Sequence, residues 1–299
     1  MKVYYSDTYT FPIPEGHWFP VEKYKMLRKK LIEQKTLSEK DLIEADLATK
    51  EQITLAHTTE YFDAFEQGAL DPQSVRRLGF PWSYRLFLRS IASVGGAVQS
   101  AREALQSGIA GNLAGGTHHA FMDHGEGFCV FNDFAVVSIL LQKEKLAKKI
   151  AIIDLDVHQG NGNSAILGNN SSVFIFSMHG KNNYPFKKIS STLDIDLEDG
   201  VKDDEYLFHL KNNLPSIFEF KPDIILYQAG VDTLKEDRLG RLSLTKDGLV
   251  ERDRLVFSEC IKKDIPVSIG LGGGYSNPID HTVDAYCGTY KVAKELFKC

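Results

Sequence analysis

The order of apolar and polar positions divides the chain into two parts. In the first, Tyr24, Leu27 and Leu31 recur at helical spacing and predict a helix over residues 21–34. A short strand over residues 3–5 precedes it, followed by a loop carrying Pro12, Pro14, Gly16, His17 and Pro20. Residues 40–68 read as short helices separated by turns. The run Gly79-Phe80-Pro81-Trp82 breaks the pattern, and Ser83 is placed to cap a long helix reaching about Leu105. Within it, Gly95-Gly96 either admits a close neighbour or marks a bend. Beyond this point the rhythm is α/β. Apolar runs at residues 150–155, 173–177, 224–228 and 267–271 alternate with helical stretches near 131–145, 203–219, 245–262 and 278–297. Strands apolar on both faces predict a parallel sheet between two helical layers. Neither an internal repeat nor a low-complexity linker interrupts the pattern, so a single domain over residues 1–299 is expected.

Polar residues punctuate this pattern where strands end. In Asp154-Leu155-Asp156-Val157-His158 polar and apolar positions alternate, so a continuing strand would put three donors on one face. Such groups at the end of a buried strand cost several kcal/mol unless paired or ligated. A cation cancels the carboxylate charge and takes the imidazole as a neutral donor. Zinc suits this donor set, as do iron and cobalt. The alternative is an acidic strand end satisfied by hydrogen bonds. Asp232 closes another apolar run and either completes the ligand set or caps a loop. Gly115-Gly116-Thr117-His118-His119 presents two imidazoles on a tight backbone, suited to moving protons or, alternatively, to metal ligation. Asp154 is the natural partner for the second nitrogen of His118. Gly272-Gly273-Gly274-Tyr275 lacks the lysine of a phosphate loop. Its better use is to bring backbone close to the centre and aim Tyr275 at a developing oxyanion, unless Tyr275 simply packs over the sheet. The segments at residues 154–158, 228–232 and 270–275 follow or finish predicted core strands, whose ends converge on one rim in open α/β sheets.

Composition narrows the class. A formal charge of -5 argues against a dedicated nucleic-acid binder, although Arg76, Arg77 and Arg85 leave room for a local basic patch. Asp123, Glu126, Glu236 and Asp237 are expected on solvated loops, with attraction of a cationic partner as the alternative. The cysteines Cys129, Cys260, Cys287 and Cys299 form no CxxC pair and no regular spacing, so neither a disulfide scaffold nor a thiolate zinc knot is indicated, and a reducing cytoplasm fits. No apolar signal-peptide core follows Met1, and no apolar run approaches the ~20 residues that cross a bilayer.

Taken together, Gly115–Ala120, residues 125–132, 152–162, 176–179 and 229–232, and Gly272–Tyr275 resemble the histone deacetylase family in the family's own order. The stretch around His17, residues 76–82 and His158-Gln159-Gly160-Asn161-Gly162 look like its class IV, HDAC-eleven-like and bacterial branch. The resemblance implies the three-layer arginase/deacetylase fold, with a mostly parallel sheet flanked by helices. It makes Asp156, His158 and Asp232 the zinc ligands, His118 and His119 the tandem catalytic histidines, and Tyr275 the carbonyl-polarising hydroxyl. Asp154 matches the acid that orients His118. A structural potassium ion is implied at the backbone of Asp154, Asp156, His158, Ser177 and Met178, with the Ser177 hydroxyl. Phe128, after Gly127, matches one wall of an acyl-lysine tunnel, with Tyr184 as the opposing wall and Gly273 beside it. Pro12–Pro20 and Phe80–Trp82 are expected near the entrance, while His124 and His179 are expected in rim or structural roles.

One departure stands out. Where zinc deacetylases commonly place an aspartate to partner the second histidine, this chain has Asn161. A neutral amide stabilises an imidazolium less than a carboxylate does, which suits His119 to a general-base role. The implied reaction removes an acetyl or longer acyl group from lysine in a peptide or protein, with zinc-activated water and without an organic cofactor. Rival readings are a deacetylase of small acylated amines such as acetylpolyamines, a two-manganese ureohydrolase of the same fold, and a non-catalytic acyl-lysine binder.

Overall fold

The computed structural model describes residues 1–298, so Cys299 lies outside the described residues. In chain order the elements are β1 (Lys2–Tyr5), α1 (Lys23–Glu33), β2 (Leu42–Glu44), α2 (Lys50–Ile53), α3 (Thr59–Glu66), α4 (Pro72–Leu78) and α5 (Tyr84–Ser107). There follow β3 (Ile109–Asn112), α6 (Asp133–Lys143), β4 (Ile150–Asp154), α7 (Asn161–Leu167), β5 (Val173–Gly180) and β6 (Leu193–Leu197). The chain continues through α8 (Asp203–Glu219), β7 (Ile224–Gln228), α9 (Lys246–Lys263), β8 (Val267–Gly270) and α10 (Asp280–Phe297). The strands form one sheet in the order β2-β1-β3-β8-β7-β4-β5-β6, and every pairing is parallel. Helices α1, α10, α9 and α8 pack in succession as one layer, and α5 and α6 with α7 form the other. The central strands β3, β8, β7 and β4 are buried along their whole length, as their apolar character on both faces requires. This is the three-layer α/β architecture expected from the sequence.

Two helix termini show how local chemistry sets the frame. Ser83 is extended and its hydroxyl accepts from the Leu86 amide, starting α5 where expected. Gly95 does not bend that helix; it admits a crossing chain, since a Cβ there would lie 1.9 Å from the Asp46 carbonyl oxygen. Other expectations are corrected. Residues 40–68 include the strand β2 as well as short helices. Strand β4 stops at Asp154 and does not continue to His158. There the side-chain oxygens capture the backbone two residues on: Asp156 N donates to Asp154 Oδ1 at 3.2 Å and His158 N to Asp156 Oδ1 at 3.0 Å. Those bonds curl the segment into turns, so Asp156 and His158 converge through the turns and not by strand alternation.

The loop between β3 and α6, which bears the paired histidines, is anchored from below. Asp133, buried at the start of α6, accepts from the amides of Gly116 and Thr117 at 2.9 Å each. His57 ties the same loop to the α2–α3 connection: Nδ1 donates to the Phe121 carbonyl at 2.9 Å, and Nε2 accepts from the Asn132 amide at 2.8 Å. This fixes a neutral tautomer, and burial pushes its pKa down to about 4 from 6.5. Because the unfolded chain then binds the proton more tightly, this stability contribution is complete above pH 6.5 and is lost as pH falls toward 4. The loss amounts to about 3 kcal/mol. Urea denaturation should therefore show a steeper decline of stability between pH 6.5 and 4.5 in the native chain than in a His57→Gln variant. Equal slopes would refute the assignment.

Candidate metal centre and active site

The C-terminal ends of the adjacent strands β3, β8, β7 and β4 open onto one rim, and each delivers part of a single site. From β4 come Asp154, Asp156 and His158; from the turn after β7, Asp232; from β8, the glycine run and Tyr275; from β3, His118 and His119. Segments more than a hundred residues apart thus meet as expected.

Asp156, His158 and Asp232 are buried, and one donor atom from each lies within 4.8 Å of the others. His158 Nδ1 stands 3.1 Å from Asp156 Oδ1 and 3.0 Å from Asp232 Oδ2. The outer oxygens are tied to backbone: Asp232 Oδ1 accepts from Val157 N at 2.9 Å, and Asp156 Oδ2 from Gly273 N at 2.6 Å. Gly273 has to be glycine for this approach, because a Cβ would stand 1.8 Å from Asp232 Oδ2. Burial opposes charge throughout the cluster, but the two carboxylates hold a proton on His158, whose pKa rises to about 10. Burial and then the Asp156 charge raise Asp232 to about 7. Two buried carboxylates that must otherwise share a proton with an imidazole are a donor set that a divalent cation fits. The oxygen and nitrogen donors suit zinc, and equally iron(II) or cobalt(II).

The paired histidines have different partners. His118 Nδ1 lies 2.7 Å from Asp154 Oδ2, whereas His119 Nδ1 lies 2.7 Å from Asn161 Oδ1. Burial lowers the pKa of His118, but the charges of Asp154 and Asp156 outweigh it and the net shift is upward. At His119 burial comes first and the charges of His118 and His158 add to it, driving the pKa well below 6.5. One histidine favours its charged form and the other its neutral form. Tyr275 is 8% exposed, and burial followed by the Asp232 and Asp156 charges keeps its hydroxyl protonated. Its backbone is clamped by Asp237, which accepts from Tyr275 N at 2.6 Å, and by Arg238, which donates to Tyr275 O at 2.8 Å.

These groups face a cavity of about 300 Å³ lined by His119, Phe128, His158, Tyr184, Leu239 and Tyr275, with Gly127 on its wall and Phe186 and Arg241 toward the outside. Phe128 and Tyr184 both line it, and Tyr184 meets the His119 ring edge-on at 5.0 Å. Phe19 packs on Phe128 and lines the recess beneath, so the proline-rich segment reaches the site, whereas Phe80 packs behind Phe128 and none of residues 80–82 lines the cavity. A smaller recess of about 30 Å³ continues beneath, reaching Tyr24, Arg89 and Cys129. His179 is buried, with Nδ1 2.9 Å from the Ser177 hydroxyl, and His124 stacks on Phe121 outside the cavity.

Several contributors escaped the sequence reading. Asp133 falls in the stretch near 131–145 that reads simply as helix, and it anchors the amides of Gly116 and Thr117. Lys23 is buried with its ammonium 3.3 Å from the Gly274 carbonyl and over the Tyr275 ring. Glu126 and Asp237, expected on solvated surface, are hydrogen-bonded within the structure. In each case a charged residue serves as a backbone or side-chain anchor, and no local spacing announces that.

Water activation at a buried cation, beside an un-ionised hydroxyl placed to stabilise developing charge, is the chemistry open to such a cavity. The protein is thus a metal-dependent hydrolase built on a parallel α/β sheet. Residues 17–289 match the histone deacetylase domain. Over 296 residues the chain is 40% identical to an uncharacterized protein of Picosynechococcus, covering 99% of both chains. It is 36% identical over 186 residues to histone deacetylase 2 of Arabidopsis thaliana, covering 61% of this chain and 48% of the other. Among solved structures, a histone deacetylase homolog from Aquifex aeolicus superposes with a TM-score of 0.83 at 27% identity, covering 99% of this chain and 88% of that one. The chain belongs to the histone deacetylase family.

Proposed function

We infer that the protein is a zinc-dependent amidohydrolase that removes an acyl group from the side chain of lysine in a peptide or protein. The observation that carries this reading is the convergence of His118, His119, Asp156, His158 and Tyr275 on the cavity and the recess beneath it, with Asp232 behind them completing the donor cluster. Zinc held by the first three would polarise the acyl carbonyl and acidify water. His119, neutral and with Nδ1 engaged by Asn161, accepts the water proton at Nε2. His118, held by Asp154 at Nδ1, stands beside His119 as the more basic of the pair. Tyr275 donates its O–H to the carbonyl oxygen as negative charge grows there. The new C–O bond forms, the C–N bond breaks, and His119 returns its proton to the leaving amine. A carboxylate and a free lysine amine result.

The acyl group we assign is acetyl, because the recess beyond the histidines is lined largely by polar groups, among them Arg89, Thr117 and the glycine backbone, which do not favour a long apolar chain. Among the described residues no carboxylate lines the outer cavity, and Arg241 does, which disfavours a polycationic small amine. We also place the chain in the class IV-like and bacterial branch, on the motif around Asn161 and the N-terminal loop. A potassium ion at Asp154, Asp156, His158, Ser177 and Met178 is proposed on the same likeness; Asp154 and Ser177 are register partners on β4 and β5. A cytoplasmic location is supported by the free, buried thiols of Cys129, Cys260 and Cys287. Among the described residues no helix is long and apolar enough to cross a membrane. The continuous sheet supports one catalytic unit over residues 1–299.

The test is metal analysis together with a panel of acetyl-lysine peptides, longer acyl-lysine peptides and acetylpolyamines. Bound zinc and the highest kcat/KM on an acetyl-lysine peptide are expected. A preference for free polyamines would overturn the substrate, and a preference for long acyl chains would overturn the acyl assignment.

A further inference from the structure

The side chain of Glu126 is 19% exposed, with Oε2 3.9 Å from His124 Nε2 and Oε1 turned inward toward Asn161. Its Oε1 accepts from Asn161 Nδ2 at 3.2 Å and from the Tyr184 hydroxyl. The Glu126 backbone is fixed independently, by exchanging hydrogen bonds with Cys129 at 3.0 and 2.8 Å. Asn161 in turn presents Oδ1 to His119 Nδ1 at 2.7 Å. An amide has an acceptor face and a donor face, and a neutral imidazole accommodates either by moving its own proton. A carboxylate only accepts. Glu126 therefore takes the NH₂ side of Asn161, leaves the carbonyl side to His119, and requires the proton of His119 to sit on Nδ1. With the amide reversed, the proton would sit on Nε2, and that atom could not receive one from water.

We propose that Glu126 is a positioning residue that selects the base-competent tautomer of His119 through Asn161, with Tyr184 holding the carboxylate in place. The inference rests on reading His119 as the base. It explains why an outlying carboxylate accompanies an asparagine here: an aspartate at position 161 would offer acceptors on both oxygens and need no orienting. The role differs from recognition of substrate charge, because Glu126 acts on proton transfer and not on binding.

The experiment uses zinc-loaded enzyme, steady-state kinetics on an acetyl-lysine peptide and ¹⁵N NMR of the His119 imidazole, assigned with a His119→Ala variant. Glu126→Ala is expected to lower kcat on the order of tenfold while KM stays within about twofold. Its spectrum should gain the Nε2–H tautomer. In an Asn161→Asp background the same Glu126→Ala change should cost about twofold or less in kcat. Equal losses in both backgrounds, a loss confined to KM, or an unaltered His119 spectrum in Glu126→Ala would each overturn the proposal. Should the native enzyme fail to hydrolyse acyl-lysine, the proposed function falls, and the tautomer spectrum still decides the role of Glu126.

Discussion

Replacing Asp232 with asparagine is expected to release the metal and abolish turnover while the fold survives. The side chain has two separable duties. Oδ1 accepts from Val157 N at 2.9 Å, which an amide oxygen can still do, so the turn after β7 keeps its anchor. Oδ2 faces His158 Nδ1 at 3.0 Å, and there asparagine would present N–H donors to a cation. The cluster would lose one of its two negative charges and one of its three donors at once. Removing a group that only supports a ligand typically costs 10- to 100-fold in metal affinity, so loss of a ligand should cost about 100-fold or more. Zinc content after equilibration in a metal buffer, read beside circular dichroism and turnover of an acetyl-lysine peptide, checks this. Native zinc affinity with full turnover would remove Asp232 from the site.

The behaviour of this residue also shows what a sequence can convey. The strands β4, β7 and β8 were legible because each is apolar on both faces, and their ends flagged the donors that follow. By contrast, β3 reads Ile109-Ala110-Gly111-Asn112, with little β-propensity, and is a strand because its neighbours on both sides pair with it. Gly111 is small there because a Cβ would lie 2.8 Å from the Tyr290 ring, a constraint from a residue far along the chain. Helix α7 begins Asn161-Gly162-Asn163, poor helix formers whose placement follows from tertiary contacts such as Asn163 N to the His118 carbonyl at 3.1 Å.

The residues that converge on the site were equally legible, and the means of holding them were not. Asp154 was expected to partner His118, and the 2.7 Å contact agrees. The alternation that suggested a shared strand face pointed to the right residues for the wrong geometric reason, since turns bring Asp156 and His158 together. Asp133, Asp237 and Glu126 lie outside any metal-like spacing, and their partners are backbone amides or an asparagine on other elements. Such anchoring is defined only once the strands are ordered.

Removing only the hydroxyl of Tyr275 separates catalysis from architecture. The ring packs against Phe19 and Phe128, with the Lys23 ammonium 5.1 Å from its centroid, and the backbone is clamped by Asp237 and Arg238. None of these contacts uses the O–H, so Tyr275→Phe should fold and bind zinc as the native chain does. Burial and the nearby carboxylates keep the native hydroxyl protonated, and it is therefore a donor throughout the working pH range. Its bond to the carbonyl oxygen strengthens as that oxygen becomes anionic, so its loss falls on the transition state more than on bound substrate. Loss of one such donor costs about 10²- to 10³-fold in kcat, or about 3–4 kcal/mol, with KM little changed. Parallel kinetics and zinc analysis on the two proteins decide the matter: an unchanged kcat would mean that the tyrosine is packing alone, and a rise in KM without loss of kcat would make it a substrate-binding group.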